Sequence, residues 1–115
     1  MHELSIAMSI LDAVQEEVDR HGYPGIEAVH LRVGDLSGVV PGALSAAYEM
    51  AAEMTPFAGS RLVIETVPVV IHCARCACDR PVDTVRVMCC PECGDPSNQL
   101  VQGRELEVQA LEVSS

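Results

Sequence analysis

Aromatic side chains are nearly missing from this sequence: there is no Trp, and 115 residues hold two Tyr and one Phe. The core therefore has to be built from Val, Leu, Ile, Ala and Met, and a body this small gains from a staple such as a metal. Basic residues are few as well. Seven Lys and Arg stand against seventeen Asp and Glu, for a formal net charge of −10. No basic cluster offsets that charge, so a phosphate backbone would be repelled and nucleic acid is not an expected partner. A cation or a basic protein surface suits the charge better. No apolar run approaches the length of a membrane span. The opening Met1-His2-Glu3 has no basic region, and Asp12 and Glu16 interrupt the apolar pattern behind it. A signal peptide is therefore not expected, and the cytoplasm is the expected location. Thiols stay reduced there, so six Cys read as metal ligands before disulfides.

The length suits one domain with a small annexe. Residues 3–21 read as a helix, with Leu4, Ala7, Met8, Leu11, Val14 and Val18 on one apolar face. Gly22 and Pro24 end it. Residues 26–34 alternate as a strand. Pro41 suits the first turn of a second helix, with Leu44, Ala47, Tyr48, Ala51 and Met54 as its apolar face and Pro56 and Gly59 closing it. Residues 61–71 read as a second strand and 104–113 as a third. Between them, residues 72–99 hold every cysteine and three of the seven prolines, with little periodicity. That stretch reads as a loop organised by metal. The fold class expected is α+β: a small mixed three-stranded sheet with two helices, and a zinc-ribbon-like four-cysteine module inserted before the last strand. The helical crossover suits a parallel first pair, and the last strand is expected antiparallel beside the second. The domains expected are 1–71 with 100–115, and 72–99.

Cys73-Ala-Arg-Cys76 and Cys90-Pro-Glu-Cys93-Gly94 are two C-x-x-C pairs separated by thirteen residues. Each pair presents two thiolates from a tight turn, and Pro91 and Gly94 favour that turn. Two such turns face to face make a tetrahedral sulfur site that fits Zn2+ and leaves no position open for water, hence structural and not catalytic. Iron in a rubredoxin-like site uses similar turns. A redox C-x-x-C needs a strand–helix context that is absent here. Cys78 and Cys89 are left over and read as inert or merely accessible thiols, though either can substitute as a ligand. His72 beside Cys73 reads as a strand-end residue or an outer partner of the site.

At the amino terminus, methionine removal needs a small second residue, and His2 is not small, so Met1 is expected to stay. Its amine, the His2 amide and the His2 imidazole then lie within chelate reach of one metal. Nitrogen ligands in a planar set suit Ni(II) or Cu(II), and Glu3 adds a carboxylate. An exposed residue at a helix start accounts for His2 as well.

The whole chain resembles the hydrogenase-maturation family HypA. The likeness rests on Met1-His2-Glu3-Leu4-Ser5, Val33-Gly34-Asp35-Leu36-Ser37-Gly38-Val39, Gly59 to Pro68, the paired C-x-x-C turns and Gly103-Arg104-Glu105-Leu106, in that order. The resemblance implies a nickel metallochaperone, not an enzyme. It implies nickel at the terminus, with His2 as the side-chain ligand and the Met1 amine and the His2 and Glu3 amides as further nitrogens. It also implies a structural zinc, a GTPase partner of the HypB type, and delivery of nickel to the [NiFe]-hydrogenase large subunit. Cys78 and Cys89 depart from the commoner family pattern. The competing reading is a zinc-ribbon adaptor for another protein, without nickel.

Overall fold

The structure is a computed structural model that describes residues 3–83 and 88–114. Its elements run α1 (Glu3–His21), β1 (Ile26–Gly34), α2 (Pro41–Ala52), β2 (Arg61–Val67), β3 (Val70–Cys73), β4 (Cys78–Pro81), β5 (Leu100–Gln102) and β6 (Leu106–Val113). The chain divides into two compact units. The first holds the stretches ending at Leu31, spanning Val39–Glu65 and beginning at Glu107; the second holds Arg32–Gly38 and Thr66–Leu106. The architecture is the expected α+β one.

In the first unit the helices pack against each other. The stripe Ala7, Ile10, Leu11 and Val14 of α1 is buried, as the helical repeat requires. Leu4 and Met8 were expected on that face but are 48% and 55% exposed, while Ile10 takes the inner position instead. α2 buries Leu44, Tyr48 and Ala52. It ends at Ala52 and not at Pro56, so Met54 falls beyond the helix and is 92% exposed. Pro41 starts α2 because its missing N–H would have had no helical partner. Tyr48 is fully buried, and its hydroxyl lies 2.7 Å from Ser60 Oγ. Ser60 already donates its one proton to the Phe57 carbonyl at 2.6 Å. Tyr48 is therefore the donor in this pair, and burial pushes its pKa above the usual value while the Ser60 contact pulls the other way.

One sheet has the order β2-β1-β6. Asp35 N–H donates to the Val67 carbonyl at 3.0 Å, just past the ends of β1 and β2, so those two strands run parallel. Gly34 N–H donates to Glu105 O at 2.7 Å, and Ser114 N–H donates to Gly25 O at 3.0 Å. These bonds tie opposite ends of β1 and β6, which run antiparallel. The last strand therefore lies beside the first and not, as its place in the sequence suggests, beside the second. β1 is the most deeply buried strand, and it has a neighbouring strand along each edge.

The second strand also differs from its expectation. Residues 61–71 are not one strand: β2 stops at Val67, and β3 begins at Val70 in another sheet. Pro68 has no N–H to continue the ladder, and the chain turns there. The second sheet, β4-β3-β5, is antiparallel throughout, with Cys73 opposite Cys78 and His72 opposite Asp79. The stretch expected to be a loop thus takes part in a small sheet of its own. One crossing in this unit is very tight. A Cβ built on Gly34 would sit 2.1 Å from the Gly103 carbonyl oxygen, so only glycine fits at position 34.

Candidate metal centre

The β3–β4 hairpin makes the first knuckle. Cys73 ends β3, Cys76 lies in the turn, and Ala77 takes a left-handed conformation with φ 56°. The second knuckle has the same plan: Cys90, Pro91, Glu92, Cys93, and then Gly94 at φ 78°. Its turn is closed by Gly94 N–H donating to Cys90 O at 2.8 Å and Cys90 N–H donating to Asp95 O at 2.8 Å. In both knuckles the residue after the second cysteine reverses the chain. Glycine does so without strain, whereas Ala77 carries a Cβ penalty. Across the surface, Arg75 of one knuckle meets Asp95 of the other at 3.3 Å.

The ligand atoms of Cys73, Cys76, Cys90 and Cys93 lie within 4.8 Å of one another. Cys73 Sγ is 3.6 Å from Cys93 Sγ, and Cys76 Sγ is 3.9 Å from Cys90 Sγ. A tetrahedral Zn2+ with Zn–S bonds of roughly 2.3 Å sets sulfur–sulfur edges of about 3.8 Å. The observed separations bracket that length, so the cluster fits a structural zinc site. Cys76 N–H also points at Cys73 Sγ, at 3.4 Å, the contact that a turn makes to a thiolate. Cys73 and Cys90 are buried, while Cys76 and Cys93 are partly exposed. The thiols share charge unevenly. The Cys93 amide, with help from that of Glu92, lowers Cys90 to about 6 against the cost of burial. For Cys93 the Asp95 amide pulls downward, but burial and the neighbouring thiols prevail and push it up to about 12. Arg80 lowers Cys76, yet the Cys73 thiol and burial outweigh it and the net direction is up. Four crowded sulfurs hold protons unequally, and a divalent cation removes that competition.

Cys78 and Cys89 stand outside the cluster: Cys78 sits in β4, and Cys89 is exposed in a bridge to Pro96. His72 is a strand residue whose Nδ1 meets Asp79 at 2.9 Å, and whose carbonyl accepts from Ser97 Oγ at 2.6 Å. Asp79, Ser97 and Arg75 escaped the sequence reading, because their partners are set only by the β3–β4 register and by the return of the second knuckle.

Met1 and His2, the expected nickel-site residues, lie outside the described residues. Glu3 is described. Its carboxylate accepts from the Val40 N–H at 3.5 Å, at the start of α2. No helix among the described residues is long and apolar enough to cross a membrane.

A family model described as hydrogenase/urease nickel incorporation, metallochaperone, hypA matches residues 1–113. The hydrogenase maturation factor HypA of Chloroflexus aurantiacus is 47% identical over 112 residues, covering 97% of this chain and 98% of that protein. The factor of the same name from Streptomyces avermitilis is 39% identical, covering 96% of this chain and 86% of that one. Among solved structures, the Ni metallochaperone HypA from Helicobacter pylori superposes with a TM-score of 0.69 at 23% identity. The match covers 98% of this chain and 97% of that one. At that identity the likeness speaks for the fold.

Proposed function

The chain belongs to the HypA family of nickel-incorporation metallochaperones, and on that premise we propose that it binds Ni(II) at its amino terminus and passes it to the [NiFe]-hydrogenase large subunit. The match over residues 1–113 carries this reading. HypA proteins are metallochaperones and not enzymes, so the chemistry is ligand exchange. His2 supplies the imidazole, Met1 its amine, and the amides of His2 and Glu3 further nitrogens. Deprotonated amide nitrogens favour a planar ion and so select Ni(II) over Zn(II). Cys73, Cys76, Cys90 and Cys93 hold a structural zinc. Nickel work belongs to residues 1–71 with 100–115, and zinc work to residues 72–99. The partners are a GTPase of the HypB type and the hydrogenase large subunit, met in the cytoplasm.

The test is calorimetric Ni(II) titration of the zinc-loaded protein, its His2→Ala variant and a form with one residue added before Met1. Native protein binds one Ni(II), and binding weakens as pH falls because protons compete for the imidazole and the amine. Both altered forms lose tight binding without loss of stability, since neither change touches the core. Equal binding by all three forms would leave the zinc-ribbon adaptor as the better reading.

A further inference from the structure

β6 lies at the edge of its sheet, with β1 on one side only. It is eight residues long and contains neither proline nor a basic residue. Proline and lysine are two of the devices that keep an edge strand from pairing with other chains; the charged residues of β6 are Glu107 and Glu112. Residues 107–110 are exposed one after another, so both faces of the strand are open there. Val108 and Val113 are 39% and 37% exposed. Beside the strand runs an open groove of about 450 Å3 in the first unit. Ala13 and Val14 of α1 and Val108, Ala110 and Leu111 of β6 give it an apolar floor. Its charged lining is Glu16 and Glu17, and the Glu17 carboxylate also meets Arg20 at 3.2 Å and His21 at 3.1 Å on the same helix. An apolar floor beside open strand backbone takes an extended peptide, with alternate side chains entering the groove.

The geometry points to β6 and this groove as a docking site for an extended basic segment of a partner protein, added as a further strand, with alternate apolar residues in the groove and Arg or Lys toward the acidic rim. Charge selects this occupant over a second copy of the chain. A second copy would bring another chain of net charge −10 against this one. The site does not rest on the nickel reading, because β6 and the groove contain none of the proposed nickel ligands.

The probe is a fluorescent eight-residue peptide alternating Val and Arg, titrated into the zinc-loaded protein and followed by anisotropy and by amide NMR shifts. Shifts are expected along residues 107–113 and around 13–17. Two control peptides, one N-methylated throughout and one with its Val residues grouped at one end, should bind roughly tenfold more weakly, because each lacks either strand donors or the alternation. The variant Glu16→Lys, which leaves the Glu17 contacts to Arg20 and His21 in place, should weaken the Val/Arg peptide by about the same factor. The same titration on His2→Ala protein should give an unchanged result, which separates this site from the nickel one. Equal binding of the grouped peptide, or of a Val/Glu peptide, would overturn the proposal. So would shifts confined to other surfaces, or β6 amide shifts that follow protein concentration alone, which would give the strand to a second copy.

Discussion

In α1 a buried apolar residue returns every three or four positions, at Ala7, Ile10 or Leu11, and Val14, and α2 repeats this with Leu44, Tyr48 and Ala52. From Ala74 to Gln102, by contrast, Cys90 is the one buried residue among those described. The helical part is held by area removed from water, which is worth about 25 cal/mol per Å2. The cysteine stretch has almost no such area to remove. Its backbone is organised by four sulfurs converging on a point, by two turns of the same plan and by short strands. A zinc ion at the cluster would do there what a core does elsewhere, and the two parts should fail under different insults.

The strongest way to break this contrast is to remove a ligand. In Cys90→Ala the zinc should be lost, and with it a contribution of roughly 10 kcal/mol of apparent binding free energy that shows as folding of the module. Amide exchange along β3, β4 and the second knuckle should become fast, while α1 and α2 stay protected. Melting of the helices together with the module would show that the two parts share one source of stability. Full zinc retention would pass the ligand role to Cys89 or Cys78.

The converse insult is Leu44→Ala, which leaves a cavity at a fully buried position. Urea denaturation should show a loss of about 2–5 kcal/mol, with zinc content unchanged. Zinc loss on folding-competent Leu44→Ala protein would count against the separation.

A smaller effect compares the two knuckles with each other. Ala77 and Gly94 occupy equivalent left-handed positions, and nothing lies within 4 Å of a Cβ built on Gly94. Backbone strain is then the whole difference. Ala77→Gly should strengthen zinc retention against a competing chelator, and Gly94→Ala should weaken it, each by about 1 kcal/mol. Changes of the same sign would mean that contacts, and not φ, govern the turns.

The smallest effect is on the sheet surface. His30 Nε2–H donates to Glu112 at 2.5 Å, and Arg61 stands 3.7 Å from the same carboxylate. The His30 hydrogen bond, aided by the charges of His30 and Arg61, holds the Glu112 carboxyl below its ordinary value of 4.5. A lowered carboxyl pKa stabilises the fold above the ordinary value, and that contribution is lost as pH falls through the lowered one. In Glu112→Gln the acid side of the Tm-against-pH curve should flatten slightly. The zinc-dependent step should not move, because Glu112 belongs to the helical part.

Much of this was legible in the sequence. Both helices and β1 follow from periodicity, and the four clustered sulfurs follow from the spacing of two C-x-x-C pairs. The departures from the sequence pattern are local. Residues 61–71 are apolar enough for one strand, yet Pro68 divides them between two sheets. Met54 has the right spacing for α2 but lies past the helix end. β6 alternates like a half-buried strand, yet residues 106–110 are exposed on both faces.

Local chemistry alone determined that both helices form, the turn residues and the pairing of thiols within each C-x-x-C turn, since each depends on residues a few positions apart. The pairing of β6 with β1, the match of His72 to Asp79, the meeting of Arg75 with Asp95 and the exposure of β6 were decided only by the tertiary structure. Each depends on which strands and turns come together, and that is set by the free energy of the whole packing, to which no short stretch of sequence has access.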